Sequence, residues 1–195
     1  MKQQRFGIAP MRALFACFAV VVAALLASCG GGGGIPYTGV TIRPLPADFT
    51  SRKAVAYSPY RTAASEADLA TEVVPKANIK QDLDLLLAAG FRAIRLFDSS
   101  DKVARQTLEV IRDNNLNIKV QLGAFVLGSS VAESQAEIAR CVALANAFPD
   151  IVLAVSVGNE TMVSWAFNRI EPSVMAGYLR SVRSQITQPV TTDDN

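Results

Sequence analysis

The chain has 195 residues, half of them hydrophobic and 18% charged, and this length fits a single domain. Its net charge is +2, of which the first 28 residues carry +3, and the near-neutral remainder excludes a nucleic-acid binder that displaces counterions from phosphates. The sequence contains no histidine, which excludes histidine-based metal sites and catalytic triads and leaves acid–base chemistry to Asp, Glu, Lys or Tyr.

The first 28 residues have the order of features typical of a secretory signal peptide. Three basic residues accompany an apolar run from Met11 to Leu26, which is shorter than the roughly 20 residues that span a bilayer. The run ends in Leu-Ala-Ser-Cys, which resembles a bacterial lipobox, in which the cysteine becomes the lipidated N-terminus. We therefore predict a signal peptide at residues 1–28 and lipidation of Cys29. An uncleaved membrane anchor, or ordinary secretion with an unused Cys29, is the alternative.

A glycine-rich segment follows the predicted lipidation site. Residues 30–34 are all glycine, so residues 29–41 are predicted to form the lipid-attachment cysteine and a flexible tether. Such a protein would be secreted across the inner membrane and anchored in the bacterial cell envelope, and Gly30 in place of an aspartate favours the outer membrane. The other two cysteines, Cys17 and Cys141, complete neither a zinc pattern nor a disulfide framework.

From residue 53 onward, short apolar runs alternate with segments of helical periodicity. The predicted strands are Lys53–Tyr57, Ala93–Phe97, Asn117–Leu122, Ile151–Val157 and Pro189–Thr192. Four helices are predicted between them, the first ending near Gly90, the second beginning at Asp98–Asp101, the third ending before Pro149 and the fourth beginning near Pro172. The Pro-rich segment before the first strand is expected to be irregular or weakly extended, and a loop is expected from Ser58 to Pro75.

The strict alternation of strand and helix predicts an α/β fold with a parallel sheet and right-handed crossovers. The spacing between strands fits a (β/α)8 TIM barrel, of which residues 42–195 would supply the first five strands and four helices. An open doubly wound sheet fits the same spacing. However, neither a GxGxxG fingerprint nor a Walker motif follows any strand, which argues against nucleotide binding.

In a barrel, functional residues collect at the carboxyl ends of the strands. The fourth predicted strand, IVLAVSV, leads directly to Asn159 and Glu160, which places a carboxyl group at the rim. A carboxyl group in a partly desolvated mouth has a raised pKa and can hold a proton near neutral pH. Alternatively, Glu160 caps the next helix, whose first turn favours acidic residues.

The sequence VGNE at Val157–Glu160 resembles the motif at the end of strand four in glycoside hydrolase family 17. AVAYSPYR, AIRLFDSSD, IKVQLGAF and PVTTDDN occur in the family's order around it, so that the resemblance covers about residues 42–195. Members of that family are retaining β-1,3-glucan hydrolases, and some relatives are glucan transferases. The resemblance implies a β-glucan polysaccharide or oligosaccharide as the partner and a mechanism that needs neither metal nor cofactor.

The resemblance implies a role for each matching residue. Glu160 would be the general acid/base, and Asn159 would hydrogen-bond the sugar 2-hydroxyl, a contact that strengthens in the transition state. Tyr57 would be a rim aromatic of strand one, and Asp193 would either line the cleft or cap a loop. Two aromatic residues after strand four, Trp165 and Phe167, would either stack on a sugar ring or fill the hydrophobic space under their loop. Arg95 is expected to be a structural charge or one that supports the residues contacting the sugar. Phe97 stands where many plant members have tyrosine, so no hydroxyl contact is expected there.

One departure from the family concerns the second carboxylate. A retaining glycosidase needs two carboxyl groups about 5–5.5 Å apart, and the family's nucleophile is a glutamate on strand seven, whereas this sequence ends in strand five. We therefore expect the chain to correspond to the N-terminal part of the catalytic domain and to be inactive alone, as a fragment, a truncated gene product or a degenerate protein. The alternatives are a non-catalytic carbohydrate-binding or structural envelope protein and an unrelated α/β enzyme with an open sheet. The sequence does not define the oligomeric state.

Overall fold

The computed structural model describes residues 41–62 and 65–194, apart from the side chain of Glu66. The chain divides between Thr41 and Ile42, and the fold described below is that of the second unit, Ile42–Asn195. The predicted signal peptide, Cys29 and the glycine-rich tether lie outside the described residues. Among the residues that are described, no helix is both long enough and apolar enough to cross a membrane.

Five strands form a single sheet. They are β1 (Ala54–Ala56), β2 (Ala93–Arg95), β3 (Lys119–Ala124), β4 (Val152–Asn159) and β5 (Val190–Asp193). Each strand pairs in parallel with the next one in the sequence, so that the order in the sheet is β1-β2-β3-β4-β5. A doubly wound sheet reverses its order at a switch point, whereas this sheet advances in one direction as the strands of a TIM barrel do. The predicted fold class is confirmed.

The helices are α1 (Ala47–Thr50), α2 (Glu66–Thr71), α3 (Lys76–Ala88), α4 (Gln106–Asp113), α5 (Val131–Ala147) and α6 (Pro172–Gln185), and a π-helical turn, Asp101–Arg105, leads into α4. The four longer helices are those predicted from the apolar periodicity. The short helices α1 and α2 were not predicted, because segments of four to six residues contain too little periodicity to signal a helix.

Serine side chains begin three of the helical segments, the first being α2, where the Ser65 hydroxyl accepts from the Asp68 amide at 3.3 Å. The Ser100 hydroxyl accepts a hydrogen bond from the Val103 amide at 3.1 Å, and the Ser130 hydroxyl accepts one from the Glu133 amide at 3.3 Å. These contacts satisfy amide groups that have no partner within the helix. The predicted helix start at Asp98–Asp101 is therefore confirmed, with Ser100 as the capping residue.

The hydrophobic core lies between one face of the sheet and the helices. Alternate strand residues such as Ile94, Val120 and Val155 are buried there against helix residues such as Leu83 and Leu108. Because successive strand side chains point to opposite faces, the residues between them belong to the other face. That face carries polar residues, namely Arg95, Gln121, Ser156 and Asp193.

The amino ends of the strands are crossed by the segment that precedes β1. The Arg43 guanidinium donates to the carbonyl oxygens of Arg183, Ile186 and Gln188 at 3.0, 2.7 and 3.2 Å. These carbonyls belong to the end of α6 and to the connection to β5. The segment is therefore fixed to the end of the sheet opposite to the carboxyl ends of the strands.

Candidate active site

Strand β4 ends in a sharp turn at Gly158, Asn159 and Glu160. Gly158 has φ +80°, and an added Cβ there would lie 2.6 Å from Cε of Met175. Glu160 also has a positive φ, +49°, which costs a residue with a Cβ about 1–2 kcal/mol. Such strain persists where the surroundings impose it, and it is found preferentially at functional sites. Two left-handed residues around Asn159 thus turn the chain out of the sheet and present Glu160 at the rim.

Backbone pairing holds this turn beside the end of β5. The Glu160 amide donates to the Asp193 carbonyl oxygen at 2.7 Å. The Glu160 side chain is exposed, and its carboxylate has no hydrogen bond or ion pair within the part of the chain that the structure describes. It lines a polar cleft of about 290 Å³, together with Arg95, Thr192, Asp193 and Asp194. The backbone is therefore fixed while the carboxylate is available to a ligand.

Asp193 is the centre of the hydrogen-bond network in this polar cleft. Its carboxylate accepts from the Ser156 hydroxyl at 2.6 Å, from the Gln121 amide at 3.2 Å and from the Arg95 guanidinium at 2.7 Å. Thus three neighbouring strands direct donors to one carboxylate on a fourth. Charge-assisted hydrogen bonds of this kind are stronger than neutral ones and hold Asp193 in one position.

Arg95 connects this network to Asn159. Its guanidinium donates to the Asn159 Oδ1 at 2.6 Å and lies 4.8 Å from the centre of the Phe97 ring. With Oδ1 engaged, the Asn159 amide group is oriented, and its Nδ2 donors have no partner among the described residues. The sequence indicated that Arg95 is a structural charge or one that supports the residues contacting the sugar. The structure shows that this charge orients the residue next to Glu160.

The two neighbouring aspartates have different surroundings. Asp194 accepts from the Met162 amide at 2.8 Å and from the Thr192 hydroxyl at 3.2 Å, so that it closes the loop after β4. Asp193 instead binds side chains of the polar face. Asp193 lines the polar cleft, as does Asp194, and a contact of Asp193 with a sugar stays a prediction.

Tyr57 lies at the end of β1 but turns toward helix α3. It is 8% exposed, and its hydroxyl donates to Oδ2 of Asp82 at 3.0 Å, while Arg61 pairs with the other oxygen of that carboxylate. Burial, followed by the negative charge of Asp82, raises the pKa of Tyr57 well above its usual range. Tyr57 does not line the polar cleft. Its predicted contact with a sugar stays a prediction, and it requires a contact other than this engaged hydroxyl.

A second cleft lies near the polar one and is named the aromatic cleft after the four rings in its lining. It has a volume of about 710 Å³, and Tyr60, Phe97, Phe125 and Phe167 line it. Phe167 is 88% exposed, and Trp165, on the same loop, is 67% exposed but does not line this cleft. The sequence placed Phe125 at the end of the third strand without assigning it a role. The only signal in the sequence was that position, since Phe125 and Phe167 come to line the same cleft only in the folded chain.

Glu137 is a further buried group that the sequence did not single out. It is 5% exposed, and its Oε1 accepts from the amides of Ser99 and Phe125 at 2.5 and 3.2 Å, while Arg140 pairs with its Oε2 at 2.6 Å. One carboxylate on α5 thus joins the loops that follow β2 and β3. Within the described residues, no group of three Cys, Asp or Glu side chains could hold a metal ion.

Comparison with known proteins agrees with this architecture. The family model of the BtgE/BtgC glycoside hydrolase domain matches residues 54–195. An endo-laminarinase from Formosa Hel1_33_131 has a similar structure, with a TM-score of 0.63 and 24% identity over 75% of this chain and 42% of the laminarinase chain. The chain thus spans less than half the length of that enzyme, and the likeness concerns the fold.

Two further solved structures are more distant. A glycosyl hydrolase family 2 member from Bacteroides cellulosilyticus DSM 14838 has a TM-score of 0.47 and 23% identity, and a β-glucuronidase from Parabacteroides merdae has a TM-score of 0.43 and 14% identity. Each match covers 60% of this chain and 16% of the other, and neither carries an argument about this protein. No curated protein sequence matches the chain significantly.

Proposed function

The chain belongs to the BtgE/BtgC glycoside hydrolase family, and from this membership we propose that it acts on β-1,3-linked glucan through the polar cleft at the ends of β4 and β5. The turn at the end of β4 is the observation that carries the proposal. In this turn the backbone of Glu160 is strained and its carboxylate is free, and the side-chain amide of Asn159 is oriented by Arg95. Both lie at the carboxyl ends of parallel strands, where barrel enzymes bind their substrates.

In this proposal Glu160 is the general acid/base of a retaining mechanism. Its carboxyl proton passes to the glycosidic oxygen as the C–O bond breaks, and the resulting carboxylate later takes a proton from the incoming water or sugar hydroxyl. Asn159 Nδ2 donates to the 2-hydroxyl of the sugar that is cleaved. A water as acceptor gives hydrolysis, and a sugar hydroxyl gives glucan transfer.

The nucleophile of this mechanism is proposed to lie outside the described residues. Of the two other carboxylates in the polar cleft, Asp193 is held by Arg95, Gln121 and Ser156, and Asp194 accepts from the Met162 amide. A nucleophile must instead be free to form a bond with the anomeric carbon. We therefore expect residues 29–195 to bind glucan without turning it over.

Those two engaged aspartates also favour a second candidate function. A protein that keeps the polar cleft without a free second carboxylate would be a carbohydrate-binding protein of the cell envelope. Turnover distinguishes the two functions. Laminarin hydrolysis by a form of the protein that includes its nucleophile, lost in Glu160→Gln, supports the enzyme. Binding without hydrolysis in every form supports the binding protein.

The experiment that tests the substrate is calorimetric titration of residues 29–195 with β-1,3- and β-1,4-linked glucose oligosaccharides. We expect laminarihexaose to bind and cellohexaose to bind at least about tenfold more weakly, a difference of about 1.4 kcal/mol. Glu160→Gln, which keeps the size and polarity of the side chain, should bind laminarihexaose nearly as well as the unaltered chain. Equal affinity for the two oligosaccharides, or none for either, would contradict the assignment of the glucan.

We also propose that the protein is a lipoprotein of the bacterial envelope, attached at Cys29. The lipobox-like sequence at residues 26–29 and the glycines that follow support this proposal. Several acyl chains anchor a protein stably where one alone does not. Cys29→Ser should release the protein from the membrane fraction or leave the precursor unprocessed. Normal cleavage with unchanged membrane retention of this variant would refute the anchor.

A further inference from the structure

The amino ends of the strands carry cations whose charge is not cancelled by a carboxylate. Lys53 directly precedes β1, Arg92 directly precedes β2, and Lys119 is the first residue of β3. Each donates to a backbone carbonyl oxygen, as Arg43 does, and such a bond holds the cation in place without neutralising it. None of the four has an ion pair with a carboxylate in residues 41–62 and 65–194. These four residues are called the basic face.

The other charged groups at this end of the sheet nearly cancel one another. Arg52 pairs with Asp48 and Arg112 pairs with Asp113, each at 2.8 Å. Asp150, in the turn before β4, has no ion pair among the described residues and offsets one cation. The four cations of the basic face therefore leave a positive charge at the amino ends, although the chain as a whole is close to neutral.

Exposed apolar side chains accompany the basic face on the segment that precedes β1. Ile42 is 83% exposed and Leu45 is 46% exposed, and Arg43 lies between them in the sequence. Cations beside exposed apolar side chains are typical of surfaces that rest on a lipid bilayer, where the cations meet anionic headgroups and the apolar groups enter the interface. A small soluble anion would use the cations alone.

The predicted tether enters the domain at this same end. The hydrogen bonds of Arg43 fix the segment to the amino ends of the strands, and residues 29–41 directly precede it. Thirteen residues span at most about 45 Å when they are fully extended. An anchor at Cys29 would therefore keep the basic face close to the bilayer. An attraction that is weak in solution becomes effective when the two partners are linked in this way.

The opposite end of the sheet carries charge of the opposite sign. Three carboxylates, those of Glu160, Asp193 and Asp194, line the polar cleft together with one guanidinium, that of Arg95. Anionic headgroups would repel this cleft and attract the basic face. The two ends of the sheet therefore favour one and the same orientation of the domain on an anionic bilayer.

We propose that the basic face docks on the anionic headgroups of the membrane that holds Cys29, so that the polar cleft points away from the bilayer. This inference rests on the proposed lipid anchor and is independent of the glucan assignment. Each lysine or arginine near an anionic bilayer strengthens the association by about fivefold. The attraction is electrostatic, and added salt screens it.

The test is co-sedimentation of residues 29–195, without their lipid, with two kinds of vesicle at low ionic strength. One kind is phosphatidylcholine alone, and the other contains equal parts of phosphatidylcholine and phosphatidylglycerol. The chain should bind the mixed vesicles, lose this binding as salt is added, and leave the neutral vesicles unbound. Lys53→Gln should weaken binding about fivefold, and Lys53→Gln combined with Lys119→Gln should weaken it about 30-fold. Lys53→Arg combined with Lys119→Arg keeps both charges and should bind as the unaltered chain does.

Lys102→Gln is the matched control for Lys53→Gln. Lys102 also donates to backbone carbonyl oxygens and lies over an aromatic ring, 5.6 Å from the centre of Tyr60, as Lys53 lies 4.3 Å from the centre of Phe91. It follows β2, however, and so belongs to the carboxyl ends of the strands. Both variants lose one positive charge and contacts of the same kind, but only Lys53→Gln should lose vesicle binding. Urea unfolding of each variant reports separately on the structural role of these cations.

The outcomes separate this proposal from the ones on which it builds. If the unaltered chain does not bind the mixed vesicles, the docking surface is refuted, while the anchor, which Cys29→Ser tests in cells, and the glucan assignment both stand. Equal weakening by Lys102→Gln and Lys53→Gln would show that the bilayer responds to net charge and not to the basic face. Equal binding to neutral and mixed vesicles would contradict the role of the anionic headgroups.

Discussion

The two ends of the parallel sheet are stabilised by different kinds of hydrogen bond. At the amino ends of the strands, cationic side chains donate to backbone carbonyls, as Arg43 does to Ile186 and as Lys119 does to Asp150 at 2.5 Å. At the carboxyl ends, some side chains bind backbone amides, as Glu137 does, but in the polar cleft side chains bind one another, as in the contacts of Arg95 with Asn159 and Asp193. The fold fixes the positions of backbone acceptors. In a hydrogen bond between two side chains, by contrast, a ligand can replace one of the two partners.

This difference agrees with the separate roles of the two ends of the strands in barrel proteins. Contacts at the amino ends of the strands serve stability, and residues at the carboxyl ends serve binding and catalysis. Variants at the amino ends should therefore change the free energy of unfolding without changing glucan affinity. Variants at the carboxyl ends should change both, or affinity alone.

The largest loss of stability is expected from Gly123→Ala, at the carboxyl end of β3. A Cβ at this position would collide with the Leu96 carbonyl oxygen and lie 2.7 Å from the Phe97 carbonyl group. Because these are backbone atoms of the two residues that directly follow β2, the end of β2 and β3 must move apart, and overpacking of this kind costs about 3 kcal/mol. Glucan affinity should fall as well, because Phe97 lies 4.8 Å from the Arg95 guanidinium that orients Asn159. Urea unfolding and calorimetric titration measure the two effects.

The control for this variant is Gly177→Ala. Gly177 lies within α6, where an added Cβ would meet nothing within 4 Å. Alanine in a helix interior is favoured over glycine by up to about 1 kcal/mol, so this variant should be slightly stabilised. A similar loss of stability in the two variants would contradict the assignment of the Gly123 effect to the close approach of β2 and β3.

Arg43→Ala should lower stability by about 2 kcal/mol, because three backbone carbonyls lose a charged donor. Its affinity for laminarihexaose should equal that of the unaltered chain, since Arg43 lies at the opposite end of the sheet. Arg43→Lys, which keeps the charge but offers fewer directed donors, should recover part of the stability. A large loss of affinity in a still folded Arg43→Ala variant would contradict the separation of the two ends.

Tyr57→Phe should cost about 1 kcal/mol at neutral pH, through the hydrogen bond to Asp82. Because burial and the Asp82 charge raise the pKa of Tyr57, the unfolded chain releases this proton at about pH 10 while the folded chain retains it. The tyrosine therefore lowers stability as the pH rises above that value, by up to about 1.4 kcal/mol per pH unit.

Tyr57→Phe removes this contribution, so its stability should decline less steeply above about pH 10 than that of the unaltered chain. The thiol of Cys141, whose pKa burial raises to about 12, titrates in both proteins and cancels in the difference. Parallel curves of unfolding free energy from pH 9 to 11 would mean that the Tyr57 hydroxyl already ionises normally in the folded protein.

The parts of the fold that follow from local pattern were predicted from the sequence. Strand β4 is nearly all apolar and could be identified as buried, and the four longer helices repeat their apolar residues every three to four positions. The position of Asn159 and Glu160 at the rim follows directly from the length of β4. The position of the Glu160 carboxylate at the end of β4 can therefore be predicted from the sequence without knowledge of long-range contacts.

The contacts that were not predicted join residues far apart in the chain. Arg95 on β2 and Asp193 on β5 have the strands β3 and β4 and the helices α4, α5 and α6 between them, and no local pattern indicates that they pair. The same holds for Tyr57 with Asp82, where strand periodicity gives the face of the residue but not the partner of its hydroxyl. Glu137 resembles any solvent-facing helix residue until the folded chain buries it against Ser99.

The central claim is that the free carboxyl group at the end of β4 is the proton donor for glycosidic cleavage. The direct test compares two substrates in Glu160→Gln, in a form of the protein that supplies the nucleophile, by measuring the rate of glycosyl-enzyme formation. Loss of the proton should slow cleavage of a β-1,3-glucan, whose leaving group is poor, by about 10²–10⁴-fold. An aryl glycoside with an activated leaving group needs little protonation and should be slowed much less. Equal slowing of the two substrates would show that Glu160 is not the acid.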